Sequence, residues 1–198
     1  KLTNNYLLIT RLRSFVSSVH IYMNVCVCMC ISFARPTALS LFMASAHSLQ
    51  DGGRLLDVDT EKLFTNIPDV LNASLNFWET AIFPMLQNAA NHTVPFNTNL
   101  MAAGFCRFRD LLAPYEKYVN DQTKALDYLR SLSGNAEFMT YLTWCYSQKA
   151  CNRLQLSDML SKPMQRLTKY SLILQRIIDN TEAEPDRTHL QMMVSANL

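Results

Sequence analysis

The stretch that most constrains the fold is residues 154–180, where apolar side chains recur with the period of a helix. Its 27 residues contain no glycine. As one unbroken helix they would reach about 40 Å, at roughly 1.5 Å per residue. The pattern therefore predicts one long core helix. The residues of its main stripe lie at spacings of four, seven, seven and four: Leu156, Leu160, Leu167, Leu174 and Ile178.

Pro163 lies inside this pattern and predicts a bend in the helix. It removes one backbone donor and crowds the carbonyl of Met159, so a kink is expected near residues 159–163. A mixed row of side chains runs beside the stripe at spacings of three and four. Such a row is typical of a protein-binding face and also of a solvated face, and composition alone favours the second. The row comprises Cys151, Leu154, Asp158, Ser161, Lys162 and Gln165.

Length and composition favour a single helical domain, with or without an extension. The chain has 198 residues, of which 49% are hydrophobic, and only four are glycine. So few glycines favour helices over a turn-rich β fold. The net charge is +2, and residues 1–50 carry four basic residues and no acidic one. Nothing in this balance indicates binding to nucleic acid.

The cysteines and histidines do not predict a metal centre or a catalytic site. Cys26, Cys28 and Cys30 alternate with other residues and have no histidine pattern beside them, which is a poor zinc signature. Cys106, Cys145 and Cys151 are interpreted as reduced thiols. The sequence contains no phosphate-binding loop, zinc-protease motif or serine nucleophile motif. We therefore expect no metal, no cofactor and no covalent chemistry.

Residues 1–54 differ from the rest of the chain. A run without charge, residues 15–34, is just long enough to cross a bilayer, although several polar side chains weaken that interpretation. The segment is also rich in serine and lacks acids, as transit peptides do. The favoured interpretation is an atypical segment that is disordered or non-native. Gly52-Gly53 marks the expected boundary, with a second region spanning residues 55–198.

Residues 55–198 predict a succession of helices. Asp59 and Thr60 are expected to cap one helix, and Asn66 to precede the next. A middle helix is predicted across residues 103–119, kinked at Pro114, with another opening at Asn120. Two further helices are predicted at residues 136–147 and from residue 188 onward.

The sequence LSDMLSKPMQRLTKYSLILQRIIDNT, residues 156–181, resembles the third signature region of the Dbl-homology (DH, RhoGEF) family. A second motif of that family, L-F-x-N-I, is matched at residues 63–67. The amino-acid sequence of residues 55–194 is most similar to the pleckstrin-homology and RhoGEF G group. The positions in register with the third region are Leu156, Leu160, Lys162, Pro163, Gln165, Arg166, Leu167, Lys169, Tyr170, Leu172, Ile173 and Leu174.

The resemblance implies an all-α, elongated helical bundle that promotes GDP release from a Rho-family GTPase, with a RhoA-like partner expected first. Such a protein is not an enzyme in the covalent sense, because it acts by stabilising the nucleotide-free GTPase. The alternative is a catalytically impaired DH-fold protein that binds GTPases or serves as a scaffold. A protein tethered to a membrane through residues 15–34 is a third hypothesis.

The resemblance also implies roles for particular residues. Lys162 would act on switch II of the GTPase, beside the magnesium and phosphate site. The remaining GTPase-binding residues would be Cys151, Leu154, Asp158, Ser161 and Asn197, with Leu154 selecting among Rho proteins. Pro163, Gln165, Arg166 and Tyr170 would hold the kinked helix in place.

The chain departs from the family pattern at both ends. The first signature region carries a glutamate, and the two possible registers place Asn5 or Thr3 at that position. The first helix is therefore expected to be degraded, replaced or absent, and the last helix to be truncated. In the family a pleckstrin-homology domain follows this region; that domain is expected to be missing here, and membrane contact is expected only through it. A cytoplasmic protein recruited to the plasma membrane or cell junctions is expected.

Overall fold

The computed structural model describes residues 38–92, 97–182 and 184–196. Every regular element in these ranges is a helix, which confirms the all-α prediction. The apolar run at 15–34, both registers of the first signature region, and Asn197 lie outside the described residues. The α-helices are α1 (Ala38–Asp51), α2 (Thr60–Phe64), α3 (Ile67–Phe77), α4 (Phe83–His92), α5 (Ala102–Phe105), α6 (Phe108–Leu111), α7 (Pro114–Ser131), α8 (Ala136–Ser147), α9 (Leu156–Asp179) and α10 (Glu184–Ala196).

The described residues form two compact units. One, called the site unit, contains residues 38–71 and 114–165. The other, called the aromatic unit, contains the described residues of 72–113 and 166–196. Helix α9 contributes its first ten residues to the site unit and the remainder to the aromatic unit. The long helix predicted at 154–180 is confirmed, and it continues through Pro163. The bend at Pro163 stays a prediction.

Capping side chains set the starts of two helices in the site unit. Asp59 precedes α2 and accepts a hydrogen bond from the backbone N–H of Lys62 at 2.9 Å. Asn135 precedes α8 and accepts from the N–H of Phe138 at 3.0 Å. Each bond satisfies an amide that has no acceptor within its own helix. These starts agree with the predicted ones, and α8 has the predicted bounds.

Helix α7 differs from its prediction. Pro114 is its first residue, and the helix runs unbroken through Asn120. The prediction of a kink at Pro114 and a new helix at Asn120 is therefore wrong. Proline is tolerated at a first helical position because the N–H that it lacks would have had no acceptor there.

Helix α1 lies inside the segment that the sequence set apart. Leu39, Phe42 and Ala46 are buried at spacings of three and four, which gives α1 one apolar face. This helix packs against α2 and α8. The Tyr141 hydroxyl on α8 donates to the Phe42 carbonyl at 2.7 Å. The boundary at residue 54 stays a prediction.

The aromatic unit is organised around four rings. Tyr170 on α9 lies with its ring centroid 5.1 Å from Phe77, 6.3 Å from Phe105 and 5.5 Å from Phe108. The interplanar angles of 69°, 76° and 80° are those of edge-to-face contacts. These contacts hold the second part of α9 within its unit.

Gly104 on α5 lies against a π-helical turn, Trp78–Ile82. A Cβ atom added at this glycine would come within 2.3 Å of the Ala81 Cβ and 2.5 Å of its Cα. Only a residue without a side chain allows so close an approach of the two backbones. Trp78 is 5% exposed, which confirms its predicted place in the core.

Candidate functional site

The first turn of α9 is fixed by its own side chains and by α8. Asp158 accepts a hydrogen bond through Oδ2 from the backbone N–H of Gln155 at 3.1 Å. This is the acidic half of a capping box, in which a side chain of the first turn satisfies the N–H of the capping residue. Leu156 donates its N–H to the Tyr146 hydroxyl of α8 at 3.2 Å. The site therefore begins on a helix start with a defined position.

Lys162 follows Asp158 by one turn and is exposed. Residues four apart lie on one face of a helix, so an ion pair between these two would be possible. No such pair forms, and Lys162 makes no salt bridge with any residue that the structure describes. Its ammonium group is therefore a solvated cation on a fixed helix, available to a partner.

The backbone beneath Lys162 is held from α7. The Leu160 carbonyl accepts hydrogen bonds from the Tyr118 hydroxyl at 2.6 Å and from the Gln122 Nε2 at 3.1 Å. Both donors are buried. Burial raises the pKa of the Tyr118 hydroxyl well above its ordinary value, and Tyr115 adds to the rise. Tyr118 thus remains a donor throughout the physiological pH range.

Cys151 is not on the surface, which corrects the prediction that it faces a partner. Its side chain is 0% exposed, and its Sγ donates to the Cys145 carbonyl at 2.9 Å. The helix begins only at Leu156, and Asn152 and Arg153 have positive φ values of 45° and 65°. These left-handed residues break the helical spacing that placed Cys151 in one row with Asp158. Its role is to support the loop from within.

Leu154 and Ser161 remain candidates for contact with a partner. Leu154 is 36% exposed and lies in the loop before α9, where its N–H donates to the Cys151 carbonyl at 2.9 Å. Ser161 is half-buried and donates to the Ser157 carbonyl at 3.0 Å. Asp158, Ser161 and Lys162 share neighbouring rows of α9. The predicted contact residues that remain accessible in the site unit are Leu154, Asp158, Ser161 and Lys162.

The residues expected to hold the helix differ in their burial. Pro163 is buried in the site unit, whereas Gln165 is exposed. Arg166 and Tyr170, both in the aromatic unit, are 4% and 3% exposed. The burial of three of these four residues supports a structural role for them.

Tyr118, Gln122 and helix α1 are the parts of the site that the sequence did not reveal. The four-residue spacing of Tyr118 and Gln122 places them on one face of α7, but nothing in their own pattern indicates α9 as the partner. Helix α1 packs against the turn that contains Cys151. The spacing of Leu39, Phe42 and Ala46 was a signal that could have predicted it.

The described residues hold no group of three or more histidine, cysteine, aspartate or glutamate side chains that could bind a metal ion. Among them, no helix is long and apolar enough to cross a membrane.

Comparisons with known proteins support a common family. The RhoGEF domain family matches residues 13–197. Pleckstrin homology domain-containing family G member 5 of Rattus norvegicus is 34% identical over 158 residues, covering 79% of this chain and 15% of that protein. Family G member 6 of Mus musculus is 32% identical over 157 residues, covering 79% of this chain and 20% of that protein.

A solved structure agrees with the helical fold. The crystal structure of the DH/PH domains of p115-RhoGEF aligns with a TM-score of 0.66 and 20% identity, covering 90% of this chain and 51% of that one. At this identity the alignment supports the fold alone. This chain spans only 15% and 20% of the length of the two family G relatives, so it corresponds to one region of much longer proteins.

Proposed function

The chain belongs to the RhoGEF domain family, and from this membership we propose that it is an exchange module that promotes GDP release from a Rho-family GTPase, with RhoA as the first partner to test. The observation that carries the proposal is Lys162. This residue is an exposed cation without an ion-pair partner among the described residues. The family resemblance implies that its motif position would face the GTPase.

The proposed mechanism needs no covalent step. A protein that binds the nucleotide-free GTPase more tightly than the GDP-bound form must lower the affinity of the GTPase for GDP by the same factor. Each tenfold difference corresponds to about 1.4 kcal/mol. The module therefore has only to present a surface that fits the nucleotide-free state better.

The residues of the site unit divide this work. The Lys162 ammonium would compete with the magnesium ion that holds the β-phosphate of the bound nucleotide. Leu154, Asp158 and Ser161 would form the rest of the contact, and Leu154 would select among Rho proteins. Asn197, which lies outside the described residues, would contribute a further contact. We place this activity in the cytoplasm, with recruitment to the plasma membrane or cell junctions.

The test is the release of fluorescent GDP from RhoA by the intact chain, by Lys162→Ala and by Lys117→Ala. Lys117 is an exposed lysine of the same unit, on α7, so both variants lose one positive charge from an exposed position. We expect the wild-type chain and Lys117→Ala to accelerate release equally. Lys162→Ala should lose at least tenfold in rate, about 1.4 kcal/mol, if its cation acts in the exchange step.

Two results would contradict the proposal. Equal losses in the two lysine variants would mean that general charge, and not the position of Lys162, drives the effect. A folded chain that binds nucleotide-free RhoA without accelerating GDP release would indicate the alternative, a GTPase-binding or scaffold protein of the same fold. Calorimetric titration with nucleotide-free RhoA would detect that binding.

A further inference from the structure

Within the site unit, the Leu160 carbonyl of α9 accepts two side-chain hydrogen bonds from α7. It accepts the Tyr118 hydroxyl at 2.6 Å and the Gln122 amide at 3.1 Å. A carbonyl oxygen has two lone pairs, so two side-chain donors can occupy its full accepting capacity. Carbonyls inside helices normally accept a backbone N–H of the following turn. Two buried side chains that donate to one such carbonyl therefore fix its position relative to the helix that carries them, α7.

Pro163 explains why the two hydrogen bonds from α7 are made to this turn of α9. Proline has no N–H to give to the Met159 carbonyl, and its ring crowds that group, so the backbone hydrogen bonding of the helix is weakened at this turn. The Leu160 carbonyl is the next in sequence and lies in the same turn. Side chains that donate to a helix carbonyl at such a place stabilise one particular geometry of the turn. Lys162 belongs to this turn and moves with it.

Helix α7 is itself anchored, so it can serve as a reference for α9. At its start, the Asn66 Nδ2 donates to the Pro114 carbonyl at 2.9 Å. Further along, the Tyr128 hydroxyl accepts the backbone N–H of Asp59 at 2.9 Å. These bonds tie α7 to the residue before α2 and to the residue before α3, on both sides of Tyr118 and Gln122. The two donors are therefore carried by a helix with a fixed position in the unit.

We propose that Tyr118 and Gln122 are positioning residues for Lys162. By holding the Leu160 carbonyl they set the geometry of the turn that carries the lysine, although neither side chain reaches the surface. This inference rests on the proposed exchange function. Removing either donor should displace the turn and lower the exchange rate, while the fold of the unit is retained.

The experiment uses Tyr118→Phe and Gln122→Met, which keep the buried volume close to that of the original side chain and remove the donor. Tyr141→Phe is the matched control, because the Tyr141 hydroxyl is also buried and also donates to a backbone carbonyl of the site unit, at 2.7 Å, but on α1. A hydrogen bond of this kind is worth a factor of about threefold to tenfold. We expect GDP release to fall by that factor in the two α7 variants and to stay near wild type in the control.

A double-mutant cycle separates positioning from general destabilisation. If Tyr118 acts through Lys162, Tyr118→Phe should cause no further loss of GDP release in the Lys162→Ala background. An equal loss in both backgrounds, or an equal loss in Tyr141→Phe, would overturn the proposal.

Amide hydrogen exchange on the chain alone keeps the proposal testable if the chain does not release GDP. We expect faster exchange confined to residues 157–165 in Tyr118→Phe, and faster exchange confined to α1 and α8 in Tyr141→Phe. Failure of GDP release by the wild-type chain would refute the proposed function, and the hydrogen-exchange result would still decide the positioning role. Unchanged exchange at residues 157–165 would overturn it.

Discussion

The two parts of α9 are held in different ways. The part in the site unit, Leu156–Gln165, is positioned by directional polar contacts: a capping carboxylate, a tyrosine hydroxyl at its first amide, and two donors on one carbonyl. The part in the aromatic unit is held by the ring of Tyr170 among three phenylalanines. One helix thus combines a part that carries the candidate binding surface with a part packed by apolar rings.

The difference shows how position and stability can be supplied separately. A hydrogen bond contributes a net 0.5–1.5 kcal/mol in most proteins, about 1 kcal/mol on average, but it restricts distance and angle closely. A buried aromatic side chain contributes several kcal/mol and tolerates small shifts. We therefore expect the aromatic unit to dominate stability and the site unit to dominate function, and the predictions below test that division.

The largest effect is expected for Tyr170→Ala. Removing a buried ring from a packed cluster leaves a cavity and costs about 3–5 kcal/mol. Urea unfolding followed by circular dichroism should show this loss. Tyr170→Phe, which keeps the ring, should lose much less. A loss below about 1 kcal/mol in Tyr170→Ala would show that the rings do not dominate stability and would remove the contrast between the two parts of α9.

A smaller effect is expected for Gly104→Ala, which tests close backbone packing in the same unit. The added Cβ would lie 2.3 Å from the Ala81 Cβ, so the π-helical turn or α5 must shift. Overpacking of this kind costs about 1–3 kcal/mol. Gly134→Ala is the control, because nothing lies within 4 Å of a Cβ added there, and it should change stability by less than about 0.5 kcal/mol. Equal effects at the two glycines would refute the argument.

The sequence predicted the parts of the fold that depend on local or repeated signals. The apolar stripe from Leu156 to Ile178 continues over several turns, so its period remained visible despite Pro163. The starts of α2 and α8 were predictable because Asp59 and Asn135 cap their own helices, within three residues.

The features that the sequence did not predict depend on contacts between residues distant in sequence or on unusual backbone geometry. The two hydrogen bonds to the Leu160 carbonyl come from Tyr118 and Gln122, which lie 42 and 38 positions earlier in the chain. No local pattern can show such a pairing. The burial of Cys151 follows from left-handed conformations at Asn152 and Arg153, neither of which is the glycine that would have signalled them. A spacing rule for helices therefore extended the binding row one turn too far.

The smallest effect that we expect is a change in the pH dependence of stability, caused by two buried tyrosines of the site unit. Burial raises the pKa of both Tyr118 and Tyr141, so the unfolded chain releases these protons first, near pH 10. Stability from such a group is fully present below that pH and is lost as the pH rises, because the unfolded state then binds fewer protons than the folded state. As the pH rises from 9 to 10.5, each tyrosine should lower the free energy of unfolding by somewhat less than about 1 kcal/mol.

Urea unfolding at both pH values, for the wild type, Tyr118→Phe, Tyr141→Phe and the double variant, isolates these contributions from all other titrating groups. Each substitution should make stability less sensitive to pH, and the two effects should add, because the hydroxyls bind carbonyls on different helices, α9 and α1. The same pH sensitivity in Tyr118→Phe and the wild type would mean that this hydroxyl is not buried against Leu160. The site unit would then lose the contact that distinguishes it from the aromatic unit.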